Sequence, residues 1–197
     1  NLEVLRPDLA AEWHPDNPCG PDTVTIRSGR RVKWSHSLMV DGQLVLHEWE
    51  ARVYHRTGGS DCAVCMPTGF RADRPGAVYL LYHPVAQLVK VGITNCDPQG
   101  RNSHRFAYFA SRGWELVRLW HHPHGLRVRR LETAVHALLA DRGGVYLTDR
   151  SAMPGATTGW TETIRVASVG TTTDVEQLIS QLAEKHLGDE AALPEAA

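Results

Sequence analysis

The sequence predicts an α+β protein built in two modules. Three observations carry that expectation. Between Val24 and Tyr54 apolar and polar residues alternate with the period of half-buried strands. Cys62 and Cys65 then follow the glycine turn Gly58-Gly59-Ser60 with the spacing of a metal knuckle. Beyond Gly76, two β-rich runs give way to segments whose apolar residues recur at helical spacing. The expected division is a β-rich module over 1–67, a polar linker over 68–75, a second domain over 76–187 and a disordered acidic tail over 188–197.

Composition narrows the class. A hydrophobic content of 42% is ordinary for a globular chain. No apolar run approaches the ~18 residues a membrane span needs, and no secretory signal is visible, so a cytoplasmic location is expected. Asn1 is not a natural start, and a preceding piece is expected to have been removed. The net charge of −1 hides an asymmetry, because residues 174–197 alone carry −5. Between Arg27 and Arg112, 12 basic residues face 6 acidic ones, and 18 of the 21 basic residues in the chain are arginine. The bland reading of the arginine usage is a GC-rich genome. The clustering points to a polyanionic partner, since guanidinium groups grip phosphates bidentately.

In the first module, Pro7 opens a short helix and Pro15 ends it. Leu9 and Trp13 share one face of that helix. Val24-Thr25-Ile26 and Arg31–Trp34 read as strands joined at Ser28-Gly29, and Leu44–Tyr54 reads as another strand. Two thiolates do not close a tetrahedral zinc site, so two more ligands are required. His36 and His47 are the candidates, giving His-x10-His-x14-Cys-x2-Cys. The competing reading is a buried reduced pair or a redox couple, but a redox pair prefers a helix N-terminus in a βαβ setting. Cys19 and Cys96 lack partner spacing and read as ordinary thiols. The zinc is expected to be structural, because a module this small has little core and bound zinc supplies on the order of 10 kcal/mol.

In the second domain, Val78–Tyr82 and Leu88–Ile93 read as strands separated by the break at His83-Pro84. Gly92 leaves room for a backbone or ligand to come close. Gly100–Phe109 is helical up to a cap at Gly113, and Trp114–Trp120 is a third strand. Leu131, Val135, Leu138 and Leu139 mark one face of a helix that starts at Leu126 or Val128 and ends by Arg142. Val145–Leu147 and Glu162–Val166 are further strand candidates. A capping box at Thr173 opens a last helix to about Leu187.

Two resemblances attach to these residues. Pro7-Asp8-Leu9-Ala10-Ala11-Glu12-Trp13-His14-Pro15, Trp34-Ser35-His36, His47-Glu48-Trp49, Arg56-Thr57-Gly58-Gly59 and Cys62-Ala63-Val64-Cys65 resemble the zinc-ribbon (treble-clef-like) domains found beside nucleases. His36 stands where that family usually has cysteine. Ala77-Val78-Tyr79 and Lys90-Val91-Gly92, followed by Arg101 and Glu132, resemble the GIY-YIG nuclease superfamily over about residues 76–166. The second resemblance implies an α/β sandwich with a central, mostly antiparallel three-stranded sheet flanked by helices. It also implies that Tyr79 contacts the attacking water, Arg101 grips the phosphate and Glu132 holds Mg²⁺ or Mn²⁺. Lys90 replaces the second motif's tyrosine, and His104 lies near a position where family members often carry histidine or lysine.

The chemistry suits these residue types. Glu132 is a hard oxygen ligand, Arg101 a permanent cation, and Tyr79 a base once a neighbouring cation lowers its pKa. Each has a bland alternative: Tyr79 as a core aromatic, Arg101 as a DNA contact without catalysis, Glu132 as a helix-surface partner of His136. The expected function is a metal-dependent DNA endonuclease of restriction or homing type, with Arg27, Arg30, Arg31, Lys33, Arg52 and Arg56 on duplex phosphates. A single such centre breaks one strand at a time, so a homodimer is one route to a double-strand break. The alternative is a zinc-dependent nucleic-acid reader or regulator without catalysis.

Overall fold

The computed structural model describes residues 1–66, 69–97, 100–155 and 159–188. The chain forms two compact units, Asn1–Thr68 and Gly69–Ala197. The acidic tail expected to be disordered lies, from residue 189 on, outside the described residues. No helix among the described residues is long and apolar enough to cross a membrane.

The first unit is built on one hairpin. Helices α1 (Leu2–Leu5) and α2 (Pro7–Ala10) precede strands β1 (Arg31–Val40) and β2 (Gln43–Arg52), and α3 (Val53–Thr57) follows. β1 and β2 pair antiparallel from Arg31↔Arg52 to Val40↔Gln43. The turn residues Asp41 and Gly42 both have positive φ, 48° and 78°. That is the two-residue turn whose twist matches a hairpin, and Asp-Gly is a preferred pair for it. Val24–Ile26 is not a strand as expected: Pro21–Thr23 forms a 3₁₀ turn with proline at its start, and Val24 is buried with its carbonyl accepting from Leu2 N at 2.7 Å. Tyr54, expected at a strand end, lies in α3. Leu2, Leu9, Val24, Val32, Trp34 and Val53 form the small core.

The second unit holds strands β3 (Gly76–His83), β4 (Leu88–Asn95), β5 (Glu115–His122) and β6 (Thr163–Arg165) with helices α4 (Ser103–Ala110), α5 (Gly125–Asp141) and α6 (Thr172–Leu187). The sheet has four strands in the order β5-β3-β4-β6, not the expected three. The extra strand is short and pairs antiparallel with β4 through Leu88↔Arg165, Val89↔Ile164 and Lys90↔Thr163. Tyr146 adds only an isolated bridge to Ile164, so the strand expected at 145–147 does not form. The capping box sits two residues earlier than expected, at Thr171 and Asp174.

One face of the sheet presents Val78, Leu80, Val89 and Val91 to Val128, Leu131, Val135 and Leu139 of α5 and to Val175, Leu178 and Ile179 of α6. Each such side chain contributes about 1.5–3 kcal/mol on burial. The other face carries Tyr79, whose ring packs against Phe106 and Phe109 of α4 at centroid distances of 5.8 and 6.2 Å. With both faces covered, β3 reads as an unbroken hydrophobic run. The peptide ahead of β3 belongs to this unit too. Arg71 N donates to Asn95 Oδ1, and Asn95 Nδ2 donates to Arg71 O and Pro75 O.

Candidate metal centre and the charged cluster of the second unit

The β1–β2 register makes His36 and His47 direct cross-strand neighbours on one face of the hairpin. The ten intervening residues are the hairpin's outer half. Cys62 and Cys65, 1% and 0% exposed, come up from the turn after α3. The ligand atoms of all four residues lie within 4.8 Å of one another. His36 Nε2 is 3.2 Å from His47 Nδ1, and His47 Nδ1 is 3.1 Å from Cys65 Sγ and 3.7 Å from Cys62 Sγ. His36 Nε2 is 3.4 Å from Cys65 Sγ.

These separations can be tested against zinc. A tetrahedron with the usual Zn–N and Zn–S bond lengths has N···N edges of about 3.3 Å and N···S edges of about 3.5 Å. The four separations above run from 3.1 to 3.7 Å and all ligand atoms lie within 4.8 Å of one another, so the donor set fits the ion. The two imidazoles offer different nitrogens, Nε2 from His36 and Nδ1 from His47. The electrostatics suit a cation as well. Hydrogen bonding from Cys65, with burial opposing it and His36 assisting, brings the Cys62 thiol down to about 3. Burial depresses the basicity of His36, but Cys62 and Glu12 outweigh it and raise the imidazole to about 9.

Behind the ligands lies a charged network. His36 Nδ1 is 3.3 Å from Glu12 Oε1, and Glu12 Oε2 pairs with Arg56 Nη2. Arg56 is 2% exposed, with its guanidinium over the rings of Trp34 and Trp49 at 5.4 and 5.3 Å. That corrects one expectation. Arg56 is enclosed between two indoles and two carboxylates and is not available to a phosphate. Arg27, Arg30, Arg31, Lys33 and Arg52 are exposed. Arg31 Nε lies 2.8 Å from Glu50, and Lys33 Nζ lies 3.5 Å from Asp16.

Residues 9–68 match the family described as "Probable Treble clef zinc finger domain". Together with the His36, His47, Cys62 and Cys65 cluster, this match supports zinc binding by the first unit. No curated protein and no solved structure matches the chain. Nothing in these comparisons supports the GIY-YIG resemblance of the second unit.

In the second unit, Tyr79 and Lys90 lie on one face of the sheet, each 1% exposed. Tyr79 stands opposite Gly92 in the ladder. A Cβ on Gly92 would come within 2.5 Å of Tyr79 Oη, so the close neighbour of that glycine is a side chain rather than a backbone or ligand. Lys90 Nζ sits 5.9 Å from the Tyr79 ring centre and donates to Gly159 O at 3.0 Å and to Glu162 Oε2 at 2.5 Å.

Glu132, part-buried on α5, feels the same charges. Burial and the Glu162 carboxylate push it up to about 7, against the pull of Lys90 and Arg129. Its expected partner His136 instead places Nδ1 2.9 Å from Tyr146 Oη, and burial holds that imidazole below its usual range. Arg101 is exposed on the loop before α4, with its backbone N 2.8 Å from Asp97 Oδ1 and its Nε 3.1 Å from Asp97 Oδ2. His104 is in the first turn of α4, part-buried. The structure thus brings Lys90, Glu162 and Glu132 into electrostatic reach of one another, with Tyr79 beside Lys90 on the sheet face turned away from α5, while the side-chain hydrogen bond of Arg101 goes to Asp97. Glu12 and the Lys90 ion pair with Glu162 are features that spacing alone did not single out.

Proposed function

We propose that this protein binds nucleic acid through its zinc-pinned hairpin and cleaves phosphodiester bonds with its second unit. The observation that carries the binding half is the exposed set Arg27, Arg30, Arg31, Lys33 and Arg52 on and beside the hairpin that carries His36 and His47. A two-stranded ribbon of this kind fits the major groove of a duplex, and arginines at its base suit the phosphate backbone. The cleaving half is supported by Lys90, Glu162 and Glu132, with Tyr79 beside Lys90: the ammonium is bonded to Glu162 and pulls through space on Glu132, whose carboxyl is raised to about 7. Clustered, perturbed groups of this sort mark functional sites.

In this reading Tyr79, held as a phenolate beside the Lys90 ammonium, accepts the proton of the attacking water and becomes the neutral phenol. Arg101 turns from Asp97 to hold a non-bridging oxygen, and His104 lies one helical turn further on. Glu132 would hold a divalent cation, with Glu162 as a second donor. One or two carboxylates are what Mg²⁺ takes while keeping its waters. When bound, the cation offsets charge on the phosphate and the leaving oxygen.

A second reading rests on the burial of Tyr79 and on the Lys90 ammonium being committed to Glu162 and Gly159. That arrangement favours a nucleic-acid reader without chemistry. A plasmid-nicking assay with Mg²⁺ or Mn²⁺, against EDTA, separates the two when run on wild type, Tyr79→Phe, Arg101→Ala and Glu132→Ala. Metal-dependent nicking lost in all three variants supports cleavage. Duplex binding without nicking in any of them assigns the reader. Absence of both binding and nicking overturns the proposal.

A further inference from the structure

We propose that Arg56 is a positioning residue for the metal centre, a clasp that orients ligands on both sides of it, and that Glu12 is the arm through which it reaches His36. The inference concerns the first unit alone and stands whether or not the chain meets nucleic acid.

The argument begins at His36. A carboxylate only accepts, so the contact between His36 Nδ1 and Glu12 Oε1 at 3.3 Å requires Nδ1 to carry the proton. Nε2 is then the nitrogen left to ligate once the ring is neutral, and Nε2 is the nitrogen that faces His47 and Cys65. Glu12 therefore sets both the tautomer and the ring orientation that ligation needs. Glu12 is itself held, because its other oxygen pairs with Arg56 Nη2.

Arg56 also reaches the opposite side of the site. Its Nη1 donates to Ser60 O and lies 3.4 Å from Asp61 Oδ1, and these are the two residues immediately before Cys62. One guanidinium thus ties the carboxylate behind His36 to the backbone that delivers the thiolates. The flanking indoles of Trp34 and Trp49 keep it in place. A lysine has one compact ammonium and no fork, so it cannot serve both sides. The arrangement also explains a buried cation that otherwise costs several kcal/mol to desolvate. Glu12 lies before the hairpin, and its carbonyl accepts from Ser35 N at 2.8 Å, next to His36. The N-terminal segment is thereby fastened to the metal site at its backbone and its side chain.

The test uses the full chain and two readouts: zinc affinity by competition with a chromogenic chelator, and the visible spectrum after Co²⁺ substitution. Glu12→Ala and Arg56→Lys should each lose 10–100-fold in zinc affinity, the usual effect of removing such a partner. Glu12→Gln retains an oxygen acceptor for Nδ1 but loses the charge, so it should fall between them and wild type. The cobalt ligand-field bands should shift in Glu12→Ala, while the thiolate charge-transfer band persists. Val24→Ala, which trims the same small core away from the ligands, should keep the wild-type cobalt spectrum even if it is less stable. Wild-type affinity in Glu12→Gln together with an unaltered spectrum in Arg56→Lys would overturn the proposal. So would a Val24→Ala spectrum shifted as far as that of Glu12→Ala. Glu12→Gln and Arg56→Lys preserve bulk and decide the matter if Glu12→Ala does not fold.

Discussion

Glu132→Gln should make the second unit more stable at alkaline pH and leave it nearly unchanged at acidic pH. Burial and the neighbouring Glu162 carboxylate raise the Glu132 carboxyl from its reference 4.5 to about 7 in the folded protein. Below about pH 4.5 the group is protonated in folded and unfolded chains alike, and it costs nothing. Between pH 4.5 and 7 the folded state binds the extra proton, so stability falls as pH rises through that window. Above 7 the full penalty is present. At full weight the shift is worth about 3 kcal/mol; Glu132 keeps a solvent-facing side, which we take to halve the figure to about 1.5 kcal/mol. The groups facing it are Glu162, Lys90 and Arg129, with His136 one helical turn on. His136 is held neutral by burial through the upper part of the window, so it does not mask the effect. Hydrogen exchange of the β3 and β4 amides reads the stability of this unit by itself. Wild type should lose protection between pH 5 and pH 8 relative to Glu132→Gln. Equal losses in the two proteins would refute the electrostatic argument. The same substitution should abolish nicking, because a neutral amide is a poor ligand for a hard cation.

Cys62→Ser should lose bound zinc and, with it, cooperative unfolding of the first unit; one zinc per chain retained by elemental analysis would count against the ligand set. Gly92→Ala should destabilise the second unit by about 1–3 kcal/mol through overpacking against Tyr79 Oη. The double variant with Tyr79→Phe should recover part of that loss in denaturant titrations, and strict additivity would show that the hydroxyl is not the obstacle. Arg27→Gln combined with Arg52→Gln should lower the slope of log K against log salt for duplex binding by roughly 2. An unchanged slope would remove these residues from the phosphate contacts.

The parts of this fold legible in sequence are those where neighbouring residues settle the outcome. β3 is a continuous apolar run because both faces of the sheet are covered, β4 shows itself by the β-branched residues around Lys90, and α5 announces itself by Leu131, Val135 and Leu139 on one side. The knuckle at Cys62 and Cys65 needs only a turn and a two-residue gap. Asp41-Gly42 also carries a hairpin signal, one that alternation alone misses. What was not legible depends on distant partners. β6 is three residues long and exists because the β4 edge is open to it. Arg56 is indistinguishable in sequence from its exposed neighbours, since its burial depends on Glu12, which lies 44 residues away, and on two indoles from the hairpin. Lys90 shows the same limit: its ammonium meets Glu162 across 72 residues.

That ion pair decides how the second unit is to be understood. Two carboxylates brought together in a part-buried place repel, and the repulsion is relieved by protonating one of them or by supplying a cation. Here the Lys90 ammonium is bonded to Glu162, and Lys90 and Arg129 both pull on Glu132. Burial first and the Glu162 carboxylate second still push the Glu132 carboxyl up to about 7. A divalent ion held by Glu132 would offset that penalty and release the proton. In the proposed cleaving centre a metal ion would relieve the penalty, whereas in a reader it remains a cost in stability, one that Glu132→Gln would remove without loss of duplex binding.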